Sequence, residues 1–168
     1  MNRASRLASL ALLAVAMAAP ATAAALTPDP VGDFEPTYIG PHVADADITG
    51  IGASFDGTNF TLTATVAGTL GDTDGAFYVW GINRGAGVPR LQFVGTPPAI
   101  KPNLLFDGVA LTFADGTMIV GGMPPTFDVT FYPGMVTAVG NTLTVTLPAA
   151  YIPSSGFSFS QYQFTVWS

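Results

Sequence analysis

Five of the eleven carboxylates in the chain, Asp29, Asp33, Glu35, Asp45 and Asp47, crowd into one Pro- and Gly-rich stretch. Hard divalent cations take oxygen ligands, and this stretch offers carboxylates together with backbone carbonyls that no regular element claims. Gathering like charges is unfavourable unless an ion of opposite sign sits among them, so the pattern points to calcium held by Asp29, Asp33, Asp45 and Asp47. The same acids also read as a solvated loop, because Asp is an ordinary turn residue. Asp72-Thr73-Asp74-Gly75 repeats the start of an EF-hand loop without its third acid or closing Glu, and reads as a turn.

Other reactive groups are sparse. The chain has no Cys and no G-x-S-x-G, and its single His, His42, stands between Pro41 and Val43 with no nucleophile beside it. A catalytic base needs an oriented partner and zinc needs several His or Cys ligands, so the expectation is a protein without catalytic activity. Composition leaves open only the paired carboxylates of a glycosidase. Haem ligation would draw on His42 with Met118, Met123 or Met135, and nothing around His42 favours it. The richest candidate for holding a ligand is Phe77-Tyr78-Val79-Trp80-Gly81-Ile82-Asn83-Arg84-Gly85. There Tyr78 and Trp80 offer rings for stacking on a sugar, and Asn83 and Arg84 offer donors for hydroxyls. By strand parity Tyr78 and Trp80 share one face, which suits the core as well as a platform. Arg84 and Arg90 are also suited to pairing with turn acids such as Asp107.

These residues need a scaffold, and composition narrows it. The 168 residues are 49% apolar and 10% charged, with 19 Gly and 14 Pro, which leaves no room for long helices. The net charge of −6 has the wrong sign for following a phosphate backbone, so nucleic acid is not an expected partner. Met1 to Ala25 has the form of a signal peptide, with Arg3 and Arg6 ahead of an apolar run from Leu7 to Ala19 that is too short to cross a bilayer. Cleavage after Ala23 or Ala25 fits the small-residue pattern. The expectation is an exported chain in the periplasm, at the cell surface or in the medium, without stable membrane insertion after cleavage. With no disulfide available, a single domain over residues 26–168 must be held by its core or by a metal.

Two segments fix the class of that core. Phe60, Leu62, Ala64 and Val66 alternate with Thr61, Thr63 and Thr65, and Leu143, Val145 and Leu147 alternate with Thr142, Thr144 and Thr146. A period of two buries one face and lines the other with Thr. Gly140-Asn141 turns the chain from Val136–Val139 into the second of these strands. Further strands are expected over residues 48–55, 76–82, 91–94, 109–114, 117–120, 127–132 and 162–167, with tight turns at Asp56-Gly57 and Asp115-Gly116. The aromatic run Phe157, Phe159, Tyr162, Phe164 and Trp167 reads as borne on the last strand. The architecture expected is an all-β, antiparallel two-sheet sandwich of jelly-roll type.

The stretch Asp29-Pro30-Val31-Gly32-Asp33, followed by Pro36-Thr37-Tyr38, Asp47-Ile48 and Phe55-Asp56-Gly57-Thr58-Asn59-Phe60-Thr61-Leu62, resembles the opening of DOMON-like β-sandwiches, which include family-nine carbohydrate-binding modules. The resemblance implies a two-sheet jelly roll, and calcium held by Asp29, Asp33 and Asp47, with Asp45 beside them. It covers the first quarter of the mature chain. No aromatic platform of a sugar-binding member aligns. Three readings follow: an exported accessory or binding module that takes calcium and a carbohydrate; a structural or surface-assembly protein that uses a strand edge or its Thr-rich face; and a small outer-membrane barrel.

Overall fold

The computed structural model describes residues 25–34, 40–89, 104–122 and 129–168. The leader up to residue 24, Glu35 to Tyr38, Arg90, the expected strand at 91–94, Met123 and Phe127 lie outside the described residues. The strands are β1 Thr27–Pro28, β2 Ile48–Phe55, β3 Asn59–Val66, β4 Phe77–Asn83, β5 Val88–Pro89, β6 Leu105–Phe106, β7 Gly108–Phe113, β8 Thr117–Gly122, β9 Val129–Pro133, β10 Val136–Val139, β11 Thr142–Pro148 and β12 Gln163–Trp167.

They form two five-stranded antiparallel sheets, ordered β1-β2-β3-β11-β10 and β12-β4-β7-β8-β9, with β5 and β6 pairing as a separate ribbon. The chain changes sheet after β3, β9 and β11, so it meanders within each sheet rather than alternating strand by strand as a full jelly roll would. Both sheets are open, and their apolar faces turn toward each other. A membrane barrel would close one sheet on itself and turn apolar side chains outward, so the barrel expectation is corrected here.

The alternation in the sequence explains the layering. Along β3, Phe60, Leu62, Ala64 and Val66 are buried while the Thr between them are only partly covered, and β11 does the same with Leu143, Val145 and Leu147. From the other sheet come Tyr78, Trp80 and Ile82 of β4, Ala110 of β7, and Met118 and Val120 of β8. Each large side chain removed from water contributes about 1.5–3 kcal/mol, which is the main support of a domain that has no cysteine to cross-link it. On the outer face of the first sheet, Thr61, Thr63 and Thr65 stand directly opposite Thr146, Thr144 and Thr142. At Asp56-Gly57 and Asp115-Gly116 the glycines take φ of 100° and 96°, and each Asp accepts backbone N–H bonds across its turn, as these dipeptides require.

The last aromatic run is only partly on a strand. Phe159 sits in a short 3-10 turn, Phe159–Gln161, and only Phe164 and Trp167 belong to β12. Ser158 and Gln161 close a capping box on that turn, so the local hydrogen bonding favours helix over strand there. The ring of Phe159 packs on Phe55 and Phe60, with Tyr162 stacked on Phe60 at 5.3 Å, which fastens the C-terminal segment to the first sheet.

Candidate functional site

Two polar constellations flank the core. In the first, the Asp45 side chain is buried and accepts from the Thr73 N–H at 2.8 Å and the Thr73 hydroxyl at 2.7 Å. The Asp45 carbonyl accepts from the Tyr78 hydroxyl at 2.7 Å. Burial, reinforced by the charge of Asp45, pushes the Tyr78 phenol up to about 12. The Asp72–Gly75 turn is thus tied down by an acid that the sequence assigns to a metal.

Asp47, also buried, accepts from the Gly32 N–H at 2.8 Å. This bond and the pairing of β1 with β2 bring the Asp29-Pro30-Val31-Gly32-Asp33 turn against the sandwich. Asp29 and Asp33 are exposed. Among the described residues, no three His, Asp or Glu side chains gather in reach of one ion. The donor set therefore fits calcium only in part. Asp47 adjoins the turn that carries Asp29 and Asp33, whereas both oxygens of Asp45 are committed to Thr73. His42 stacks on Phe34 with ring centroids 4.4 Å apart, and Met118 lies in the core.

The second constellation is built at the far end of β4. Tyr78 and Trp80 are fully buried between the sheets, so neither presents a ring face to a ligand, and the platform expected at these residues is corrected. Strand parity puts both on the inner face, where Trp80 donates to the Thr112 hydroxyl at 3.2 Å and Thr112 in turn donates to the Tyr78 carbonyl. Asn83 is buried as well; its side-chain oxygen accepts from Gly85 and Gly87, and its amide donates to Gln163. It shapes the 83–87 loop instead of reaching outward.

Arg84 has its backbone N–H and its Nε on Asp107 Oδ1, at 2.9 and 3.2 Å. Its terminal nitrogens donate to the carbonyls of Asp107 and Pro153. Asp107 also accepts from Ala86 through its second oxygen. Burial opposes ionisation of Asp107, but the Arg84 N–H, the guanidinium charge and the Ala86 N–H together hold its carboxyl below the ordinary value. The pairing expected between Arg84 and Asp107 is present, and it joins loop 83–87, the entry to β7 and the 153–157 loop into one corner. Gly85 is indispensable there: at φ +121°, an added Cβ would land on the backbone of Gly156 and Phe157.

Beside this corner, between the inner face of β7–β9 and the Ala149–Tyr151 turn, lies a cleft of about 230 Å³. Its lining includes Arg84, Gly108, Thr130, Tyr132, Tyr151 and Ile152. Gly108 leaves room for the Arg84 guanidinium to cross the sheet, since a Cβ would sit 3.3 Å from Nε. The rings of Tyr132 and Tyr151 stack at 4.0 Å and form one wall. Sequence reading found Arg84 but missed these tyrosines, because they belong to different segments that only the fold brings together.

No protein-family model matches the chain, and no curated protein matches it by sequence.

Proposed function

We propose that this chain is an exported, non-catalytic binding or accessory module whose ligand is a carbohydrate, taken up in the cleft beside Arg84. The observation that carries the reading is the composition of that cleft: stacked half-buried rings, a fixed guanidinium and a threonine hydroxyl around a concave space. Sugar sites combine these same elements, apolar faces for C–H groups and a few placed polar groups for hydroxyls. Asp107, the carboxylate bonded to Arg84 of the cleft, is also engaged by Ala86, which suits a structural role better than acid–base work. Calcium belongs to the proposal through Asp47 and the turn that carries Asp29 and Asp33. Support comes from the Gly32–Asp47 bond, which places the turn at the buried acid.

A second reading, surface assembly, is favoured by the uncharged threonine ladder on β3 and β11. The two separate in one experiment. The chain without its leader is screened on a glycan array and by size exclusion across a concentration series. Selective glycan binding by a monomer supports the module; concentration-dependent association without glycan binding supports assembly and removes the first reading.

A further inference from the structure

The cleft also carries information about which sugar it takes, an inference that rests on the binding-module reading. From its geometry we infer that it holds one terminal, uncharged hexopyranose ring and discriminates against the corresponding uronic acid.

Size sets the first half. At about 230 Å³ the space is smaller than an ordinary drug-sized pocket and suits a single ring. The apolar part of the lining, Val120, Ile152 and the two stacked tyrosines, would cover C–H groups of a sugar. Polar groups come from Arg84 and from Thr130, which is exposed. Thr130 pairs with Val120 across β8 and β9, so its side chain shares the inner, cleft-facing side of the sheet. Among the described residues, no carboxylate lines the cleft.

Charge sets the second half. A guanidinium that selects a carboxylate normally offers it a two-pronged face. Here Nε is taken by Asp107, and each terminal nitrogen already donates to a backbone carbonyl. The positive charge is matched at 3.2 Å by the Asp107 carboxylate. Each terminal nitrogen keeps a second N–H beyond these bonds, enough for a hydroxyl, while the charge behind it is already matched by Asp107. A uronate would enter beside an acid whose cation is already paired, and would give up its hydration without recovering a full ion pair.

The test is titration calorimetry of the leaderless chain with glucose, galactose, mannose and cellobiose, and with glucuronate and galacturonate. The variants are Gly108→Ala, which narrows the floor, Thr130→Val, which removes a hydroxyl, and Tyr132→Ala, which removes a wall. Thr144→Ala on the far face is the control, and melting curves verify folding. Expected are binding of at least one neutral sugar, weaker binding of its uronate, and a loss of about tenfold in each cleft variant but not in the control. If Tyr132→Ala fails to fold, Gly108→Ala and Thr130→Val still decide. A uronate bound as tightly as its neutral partner overturns the selectivity. Neutral sugars bound equally by wild type and all cleft variants overturn the location while leaving the binding-module reading intact. Binding of none of the sugars, with a blank glycan array, overturns both.

Discussion

Arg84 and Asp107 are joined through side chain and main chain at once: Asp107 Oδ1 accepts from both the backbone N–H and the Nε of Arg84, and the Asp107 carbonyl accepts from the same guanidinium. Both side chains are largely shielded from solvent, at 17% and 9% exposure. Removing one partner therefore leaves a shielded charge and several unpaired donors. Asp107→Ala is expected to lower unfolding free energy by about 2–4 kcal/mol, read by urea denaturation at neutral pH. The folded carboxyl titrates below its unfolded value, so the stability it contributes is full above the ordinary carboxylate range. That stability fades as pH falls through the lowered value. Asp107→Asn should flatten this acid limb, and an unchanged acid limb would remove the assignment.

Tyr78 carries the opposite signature. Its phenol is raised from 10.0 to about 12 in the fold, so its contribution is complete below pH 10 and is lost as pH rises toward 12. Alkaline titration followed by phenolate absorbance should show a last, late step from Tyr78, together with unfolding, beside Tyr162, whose phenol burial also raises. Tyr78→Phe should remove that late step and cost about 1 kcal/mol at neutral pH through the lost bond to the Asp45 carbonyl. A full set of tyrosines titrating near the ordinary value in the folded protein would contradict the burial described.

Gly85→Ala should be among the most damaging small changes in the chain. The added methyl meets backbone, not a flexible side-chain end, at a φ that L residues rarely adopt. A loss of about 2–3 kcal/mol is expected in a thermal melt, against a few tenths for an exposed threonine such as Thr146→Ser. Equal melting temperatures for the two variants would show that the 84–87 and 153–157 loops are not in contact.

For calcium, chelation is expected to lower the melting temperature, and Asp33→Ala should abolish the difference between chelated and calcium-loaded protein. Asp33 is exposed, so its removal should cost little stability in chelator. Asp47→Ala should cost about 1–3 kcal/mol even in chelator, because it leaves the Gly32 N–H without its acceptor. Identical melts with and without chelator would withdraw the ion and leave Asp47 as a tether.

Much of the scaffold was legible because period-two alternation needs no tertiary information. Phe60 through Val66 and Leu143 through Leu147 declare their buried faces, and Gly140-Asn141 declares the turn before the second. The expected strand at 48–55 coincides with β2. What alternation does not reveal is which inner face ends up accessible. Tyr78 and Tyr132 both lie on inward-facing positions of the same sheet, yet Tyr78 is on an interior strand and fully buried while Tyr132 sits on an edge strand and stays partly exposed. Rank within the sheet decides, and rank depends on how distant segments pair. The surroundings of Asp45 were hidden for a related reason: it looks like a ligand in sequence, but its partner Thr73 lies 28 positions on, in a turn that local reading has no cause to associate with it.

The threonine ladder has a consequence for the molecule's behaviour among its neighbours. Strands β2, β3, β10 and β11 contain no ionisable side chain, so their outer face carries no charge of its own in an acidic protein. Forces exerted across it are short-ranged, arising from methyl groups and hydroxyls, and are scarcely tuned by ionic strength. Copies of the molecule would repel one another at long distance in dilute electrolyte, while contacts made at close quarters through this face would feel the same in fresh water as in brine.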